Sequence, residues 1–250
     1  KAKGAMLAGC VMSLTHAETL EATVRVLTRN GLEVHLTAGQ GCCGALNTHA
    51  GEPDSAIEMA KKNIDSFLSA NPDAIVSASA GCGAAMKDYG ELFRDEGEYA
   101  ERAKKVADLT RDIHELLVEY DFEPPTGVLD VTVTYQDPCH LLNAQRITEA
   151  PRQILSSIPG LKLVELGEPA ICCGSAGTYS ITQREMSARL GKRKARNVIA
   201  TGAEIVATGN PGCAMQLDFA LRQIANDESG EPTTKVRYVV DLLDAAYALD

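Results

Sequence analysis

The sequence predicts an α/β fold made of two tandem pseudo-symmetric lobes, each a small parallel sheet flanked by helices. Three observations predict it. Short apolar runs alternate with longer segments of helical periodicity, the eight cysteines fall into two sets with nearly equal spacing, and a stretch with paired prolines lies between the sets. Strands that alternate with helices form parallel sheets with right-handed crossovers, so the order of the elements indicates this architecture.

Six short apolar runs are candidate strands. They are residues 5–8, 32–37, 74–77, 131–135, 162–166 and 204–207. A fourth strand in each lobe is expected near Val106 and at residues 236–240.

Segments of helical periodicity separate these strands. The first covers residues 17–29, and its Leu20, Val24 and Leu27 fall on one helical face. The other predicted helices are residues 54–68, 151–158 and 182–200.

The cysteine spacing indicates a duplicated domain. The first set is Cys10, Cys42, Cys43 and Cys82, and the second is Cys139, Cys172, Cys173 and Cys213. Subtraction of one set from the other gives offsets of 129, 130, 130 and 131, and no cysteine is left over. Further along, residues 112–117 match residues 241–246 at an offset of 129. We therefore predict one lobe at residues 1–125 and a second at 126–250.

Each cysteine position follows shortly after a predicted strand. In an open parallel sheet, the loops beyond the carboxyl ends of the strands share one edge and form the ligand crevice. The four thiols of each lobe are therefore expected to converge, although long stretches of sequence separate them.

Three kinds of chemistry could use four converging thiols. The even number of cysteines permits disulfides, but the adjacent cysteines are awkward to pair, and nothing in the sequence indicates export. Structural zinc sites usually take ligands from Cys-x-x-Cys knuckles, which are absent here. In an iron–sulfur cluster the thiolates bind different irons, so a vicinal pair can serve two neighbouring metals. The sequence favours cluster ligation.

Charge and hydropathy narrow the function classes. The net charge of -10 argues against nucleic acid or an anionic membrane surface as a direct partner. No apolar run approaches the ~18 residues of a membrane-spanning helix, and the first residues lack a secretory signal pattern. We expect a cytoplasmic, reducing environment.

Four stretches resemble the cysteine-rich CCG-domain family. They are residues 40–45, 137–140, 171–177 and 209–213. The family includes the heterodisulfide reductase B subunit and, closer to these stretches, the iron–sulfur subunit of glycolate oxidase. The resemblance covers essentially the whole chain.

The resemblance implies an electron-transfer subunit of a flavin-dependent 2-hydroxy-acid oxidase or dehydrogenase. It implies that the cysteines are the metal and cofactor ligands, with one or two iron–sulfur clusters of the [4Fe–4S] type. They are Cys10, Cys42, Cys43, Cys82, Cys139, Cys172, Cys173 and Cys213. Flavin-containing subunits would oxidise the substrate, and electrons would pass towards a quinone or another carrier. Such partners could hold the chain at the inner face of the membrane.

The sequence departs from the family pattern in two respects. The fuller motif ends in Cys-x-x-Cys, and its last position is Ala85 in one lobe and Gln216 in the other. Glycolate oxidase subunits also carry an N-terminal ferredoxin-like region, whose absence predicts that this chain is part of a longer polypeptide. Two alternatives stay open: a thiol or disulfide redox enzyme of the heterodisulfide reductase B type, and a metal-free docking module of the same fold.

His140 is a further candidate because it follows Cys139 directly. Its ring could hydrogen-bond a cluster sulfur, or it could cap the following helix.

Overall fold

The computed structural model describes residues 2–227, 230 and 232–250. The chain divides into two compact units, Lys1–Phe122 and Glu123–Asp250, which are called the first and second lobe below. This division lies three residues before the boundary predicted between residues 125 and 126.

The first lobe alternates strands and helices. Its elements are β1 (Ala2–Met6), α1 (Val11–Thr15), α2 (Ala17–Arg29), β2 (Leu32–His35), α3 (Ala45–His49), α4 (Pro53–Ser69), β3 (Ala74–Ser77), α5 (Ala80–Lys87), α6 (Tyr89–Leu92), α7 (Glu98–Leu109), β4 (Thr110–Asp112) and α8 (Ile113–Glu119). The strands form one sheet in the order β2-β1-β3-β4, with every pair parallel.

The second lobe repeats this plan. Its elements are β5 (Val131–Tyr135), a π-helical turn (His140–Ala144), α9 (Glu149–Ser157), β6 (Leu161–Val164), α10 (Tyr179–Thr182), α11 (Arg184–Ala200), β7 (Ile205–Thr208), α12 (Pro211–Asp227), β8 (Lys235–Tyr238) and α13 (Val239–Tyr247). Its sheet order is β6-β5-β7-β8, again with every pair parallel. The predicted fold class is therefore confirmed.

Helices bury one face against each sheet. In the first lobe, Ile64 and Phe67 of α4 are fully buried and share a core cluster with Ile75 of β3. In the second lobe, Val198 of α11 and Leu217 of α12 belong to the core cluster that includes Val206 of β7. Apolar positions three or four residues apart produce these faces, as the periodicity predicted.

The buried face of α2 differs from the prediction. Leu20 and Val24 are only half-buried, and Leu27 is fully buried as expected. Val26 and the small residues Thr19, Ala22 and Thr23 complete the buried face instead. Small side chains permit close approach of the helix, which a count of large apolar residues does not detect.

The fourth strand of the first lobe does not lie near Val106. That residue is buried within α7, and the strand begins four residues later, at Thr110. Ala103 and Val106 are the two buried residues of α7, and their spacing of three places them on one helical face. In the second lobe the strand covers Lys235–Tyr238, and Val239 already begins a helix.

The repeat also has a different register after the last cysteine. Asp112 pairs with Ser77, and Tyr238 pairs with Thr208, at the ends of the equivalent strands. The structural offset there is 126, so the match of residues 112–117 with residues 241–246 at 129 is wrong. The helices between the third and fourth strands differ in number and length in the two lobes, which changes the spacing.

Candidate metal centre

The cysteine loops of each lobe leave three adjacent strands at the same edge of the sheet. The three strands are β2, β1 and β3 in the first lobe and β6, β5 and β7 in the second. Cys10 and Cys139 follow the central strand of each trio, the vicinal pairs follow one neighbour, and Cys82 and Cys213 follow the other. Parallel strand order therefore brings together residues that are 30 to 40 positions apart in the sequence.

The four thiols of the first lobe form a continuous row of contacts. The sulfurs of Cys10 and Cys42 lie 3.5 Å apart. The thiol of Cys43 contacts Cys42 on one side and Cys82 on the other. A disulfide bond is about 2.05 Å long, and all four residues are free cysteines.

The second lobe repeats this row in the same order. The thiol of Cys172 contacts Cys139 on one side and Cys173 on the other. The sulfurs of Cys173 and Cys213 lie 3.3 Å apart. The structure thus brings together all eight predicted ligands, four in each lobe.

Backbone N–H groups point at the half-buried sulfur of each vicinal pair. The amide of Gly44 donates to Cys42 Sγ at 3.4 Å, and the amide of Gly174 donates to Cys172 Sγ at 3.3 Å. Such bonds favour the thiolate and adjust the reduction potential of a bound cluster.

The donor set fits a polynuclear group. Among residues 2–227, 230 and 232–250, no three or more side chains of histidine, cysteine, aspartate or glutamate are grouped so that they could hold a metal ion. An iron–sulfur cluster takes its thiolates on different irons, which a row of four thiols with a vicinal pair can supply. Four thiols with directed amide donors supply the chemistry that a cluster requires.

Contacts between the thiols shift their pKa values in opposite directions. Hydrogen bonding from the Cys43 thiol lowers the pKa of Cys42 to about 5. The same contact raises the pKa of Cys43. In the second lobe, hydrogen bonds from Cys139 and then Cys173 lower the pKa of Cys172 to about 2. Metal ligation requires thiolates, and each lobe already favours one at its vicinal pair.

The glycine after each vicinal pair has a left-handed backbone. Gly44 has a φ of 84° and Gly174 has a φ of 92°. A Cβ atom at Gly174 would lie 2.5 Å from the carbonyl oxygen of Ser187, and one at Gly44 would lie 3.1 Å from that of Ala56. The CCG loop therefore needs glycine both for its conformation and for its close approach to the following helix.

A buried amide anchors the CCG loop of the first lobe. Asn63 of α4 is fully buried. Its Oδ1 accepts from the amide of Gly41 at 2.8 Å, and its Nδ2 donates to the carbonyl of Cys42 at 2.8 Å. The hydroxyl of Tyr89 adds a bond of 2.9 Å to the carbonyl of Cys43. Three consecutive loop residues are thus tied to α4 and α6.

A buried amine takes the corresponding place in the second lobe. Lys194 of α11 is fully buried. Its Nζ donates to the carbonyls of Glu168 at 2.9 Å and Pro169 at 2.8 Å. Ser187 Oγ donates to the carbonyl of Gly174 at 2.8 Å. Burial lowers the pKa of Lys194, and the negative charge of Asp137 opposes that shift.

The positions of the absent fifth cysteines differ between the lobes. Ala85 is half-buried and packs against the core of the first lobe. Gln216 donates from Nε2 to the carbonyl and hydroxyl oxygens of Ser187, both at 3.3 Å. Both side chains have structural contacts, and neither supplies a thiol.

His140 lies beside its neighbouring cysteine. The Nδ1 atom of His140 is 3.7 Å from Cys139 Sγ. Cys139 stands at the N-cap of the π-helical turn, and His140 is the first residue of that turn. The geometry favours a polar contact with the sulfur over a capping role.

Asn63 and Lys194 were not among the predicted site residues. The residues are 131 positions apart, the same offset as Cys82 and Cys213. Extension of the repeat into the helices after the vicinal cysteines would have aligned these two polar residues with each other.

The family model for the CCG cysteine-rich domain matches the chain twice, over residues 5–87 and 133–218. The probable glycolate oxidase iron–sulfur subunit of Bacillus subtilis (strain 168) is 37% identical over 225 residues, which are 89% of this chain and 51% of that protein. Lactate utilization protein A of Shouchella clausii is 30% identical over 237 residues, 94% of this chain and 96% of that protein. The chain thus spans about half of the first relative and nearly all of the second.

Among solved structures, a hypothetical protein from Helicobacter pylori has the same fold. Its TM-score is 0.60 at 12% sequence identity, and the match covers 100% of this chain and 49% of that one. Within the part of the chain that the structure describes, no helix is long and apolar enough to cross a membrane.

Proposed function

The chain belongs to the CCG family of cysteine-rich domains, and from this premise we propose that it is an iron–sulfur electron-transfer subunit of a 2-hydroxy-acid oxidoreductase. The observation that carries the proposal is the row of four free thiols at one sheet edge in each lobe. The similarity to a glycolate oxidase iron–sulfur subunit and to a lactate utilization protein supports a 2-hydroxy acid as the substrate of the whole complex.

The proposed ligands are the two cysteine sets. Cys10, Cys42, Cys43 and Cys82 would hold one group, and Cys139, Cys172, Cys173 and Cys213 would hold the other. When bound, an iron–sulfur cluster supplies a one-electron carrier whose potential depends on charge, burial and hydrogen bonds to sulfur. Four thiolates in each lobe match a [4Fe–4S] cluster, so we propose up to two.

The residues of the chain hold and shield this centre. Cys43 in the first lobe and Cys173 and Cys213 in the second are buried, which limits the access of water to part of each thiol row. The amides of Gly44 and Gly174 donate towards the rows. The remaining thiols are half-buried, and we propose that electrons are exchanged with a partner on their side of each row.

We propose that the partners are flavin-containing subunits. In the described residues the site consists of thiols and glycine-rich loops. Residues 39–44 match the pattern Gly-x-Gly-x-x-Gly, but this stretch contains Cys42 and Cys43, and we assign its glycines to the thiol site and not to a nucleotide. Flavin-bound substrate oxidation would therefore take place on other chains. Electrons would then pass through this chain towards a quinone or another carrier.

Metal content tests the proposal directly. The protein is purified anaerobically, and iron, acid-labile sulfide and the electron paramagnetic resonance spectrum of the reduced form are measured. We expect iron and sulfide in equal amounts and a cluster signal. Protein that contains no iron and sulfide, and does not acquire them on anaerobic reconstitution, contradicts the proposal and indicates the docking module.

Single-cysteine variants assign the ligands. Cys42→Ser is expected to remove the cluster of the first lobe and leave that of the second, and Cys172→Ser is expected to do the opposite. Each variant is the control for the other. Electron transfer from a lactate- or glycolate-oxidising flavoprotein to a quinone analogue is measured in parallel. Unchanged iron content and transfer rate in both variants would exclude these ligands, and heterodisulfide turnover would instead favour the thiol–disulfide enzyme.

A further inference from the structure

The helices that follow the two vicinal cysteine pairs are equivalent and carry different buried polar residues. Helices α4 and α11 each have 17 residues. At an offset of 131, Asn63 of α4 corresponds to Lys194 of α11. Both side chains are fully buried. Long cationic side chains are almost never fully buried without partners, so Lys194 requires a specific explanation.

The contacts of Lys194 provide one. Its amine donates to the carbonyls of Glu168 and Pro169, and the carbonyl of Glu168 also accepts from the amide of Ile171 at 3.1 Å. Glu168 has a left-handed backbone with a φ of 53°. The amine therefore fixes a strained turn that leads directly into Cys172.

Asn63 forms its hydrogen bonds with residues that are closer to the vicinal cysteines in the sequence. It bonds the amide of Gly41 and the carbonyl of Cys42. In the first lobe the stretch before the vicinal pair is held separately, because Ser66 Oγ donates to the carbonyl of Ala38 at 2.9 Å. Ala38 corresponds to Glu168 at the offset of 130 that relates the vicinal pairs. Lys194 thus reaches a segment that Asn63 does not.

We propose that Lys194 is the positioning residue of the vicinal cysteines in the second lobe, and that its buried amine makes this thiol site electrostatically different from the neutral, Asn63-anchored site of the first lobe. The inference deepens the proposed function because it concerns the same sites. Burial lowers the pKa of Lys194, and Asp137 and then the sulfurs of Cys173, Cys213 and Cys172 oppose that shift, which agrees with an amine that interacts with these sulfurs. A positive charge beside a cluster favours its reduced form.

Alkylation of the metal-free protein tests the positioning role without any cluster. The variants are Lys194→Met, which removes both hydrogen bonds, Lys194→Gln, which keeps a shorter donor, and Asn63→Leu as the matched change in the first lobe. Chelator-treated protein is exposed to iodoacetamide, and mass spectrometry follows each cysteine. In Lys194→Met we expect Cys173 to react roughly five- to thirtyfold faster, as the loss of two ordinary hydrogen bonds would allow.

The specificity of this change is decisive. Cys43 should react at the parent rate in Lys194→Met and faster in Asn63→Leu, and Lys194→Gln should partly restore the slow reaction of Cys173. Equal acceleration of both lobes would show general loosening, and no acceleration of Cys173 would show no positioning role. Either result overturns the inference. Thermal unfolding by circular dichroism confirms that the variants are folded.

Redox titration tests the electrostatic difference. In anaerobically reconstituted Lys194→Gln, the midpoint potential of the centre in the second lobe should move in the negative direction, because a positive charge is lost. The centre in the first lobe should not move. An unchanged midpoint potential of the centre in the second lobe would overturn the electrostatic part of the inference. Absence of iron from the parent protein would instead refute the proposed function, while the alkylation result still decides the positioning role.

Discussion

The two lobes have the same arrangement of four thiols, but they differ in the groups that hold these thiols in place. In both lobes the cysteines have the same order and a glycine follows the vicinal pair. The backbone amide of that glycine donates a hydrogen bond to a cysteine sulfur. The helix behind the pair is equivalent in length and place, yet it presents Ala56, Asn63 and Ser66 in the first lobe. In the second it presents the buried Ser187 and Lys194, and the half-buried Asn197, which donates to the carbonyl of Gly167. The difference teaches that loop geometry is retained while the chemistry that supports it changes.

This exchange of anchors has a physical reason. A loop that positions ligands needs its backbone groups satisfied, because a buried unpaired donor or acceptor costs about 1–3 kcal/mol. Any buried donor at the correct place meets that need. Asn63 offers both a donor and an acceptor, and Lys194 offers only donors. The segments that they contact therefore differ: an amide and a carbonyl in the first lobe, and two carbonyls in the second.

The largest effect on stability is expected at the glycines that follow the vicinal pairs. Alanine at either position adds the left-handed strain of about 1–2 kcal/mol. At Gly174 the new Cβ would also collide with the backbone oxygen of Ser187 at 2.5 Å, whereas the contact at Gly44 is 3.1 Å. We expect Gly174→Ala to destabilise its lobe by about 3 kcal/mol or more and Gly44→Ala by about 2 kcal/mol.

Hydrogen-exchange mass spectrometry in denaturant measures each lobe separately. Gly41→Ala is the control, since no atom lies within 4 Å of its added Cβ and its backbone is not left-handed. If Gly174→Ala proved as mild as Gly41→Ala, the close packing of the CCG loop on α11 would be refuted.

The next largest effect on stability is expected at the N-terminal caps of α8 and α13, the last helix of each lobe. Asp112 accepts from the amide of His114 at 2.9 Å and from its ring Nδ1 at 2.6 Å, and both residues are buried. Asp241, the third residue of α13, accepts from the amide of Tyr238 at 3.1 Å. We expect Asp112→Ala to cost about 2 kcal/mol and Asp241→Ala about 0.5–1 kcal/mol, measured by the same method. Equal costs would mean that the His114 contact adds nothing.

A smaller effect is expected from the hydroxyl that holds the second CCG loop. Ser187→Ala removes the bond to the carbonyl of Gly174 and should destabilise the second lobe by about 1 kcal/mol. The reciprocal change, Ala56→Ser, tests whether the first lobe can accept the same anchor. It should leave stability nearly unchanged, because the oxygen of Gly44 already accepts backbone amides. A gain as large as the loss at Ser187 would show that the anchors are interchangeable.

The smallest effect is expected at the surface. Arg193 pairs with Glu168 and lowers the pKa of that carboxyl from 4.5 to about 2, and Asn197 also bonds the same carboxylate. Because the folded pKa is depressed, the stabilisation is present above pH 4.5 and is lost as the pH falls through about 2. Arg193→Ala should therefore differ least from the parent, and the difference should vanish in acid and in high salt. A difference that persists at pH 2 would indicate that Arg193 acts through packing.

Several elements could be predicted from sequence because their signals are local. Helix α4 showed Ala60, Ile64 and Phe67 at helical spacing, and these residues are buried. The fourth strand of the first lobe was misplaced because Val106 looks the same on a helix as on a short strand. A single apolar residue does not define a period.

The sequence alone determined that there are two sets of four thiols, the order of the thiols and the sheet edge at which they meet. Cysteine spacing and the alternation of strands and helices are properties of the linear chain. Only the tertiary structure decided which buried groups hold the thiols. Asn63 and Lys194 have no local signal, since a polar residue within a helix has the same pattern whether it faces water or a loop carbonyl. Its role follows from the packing of the helix against a distant segment, which satisfies backbone groups that no sequence window contains.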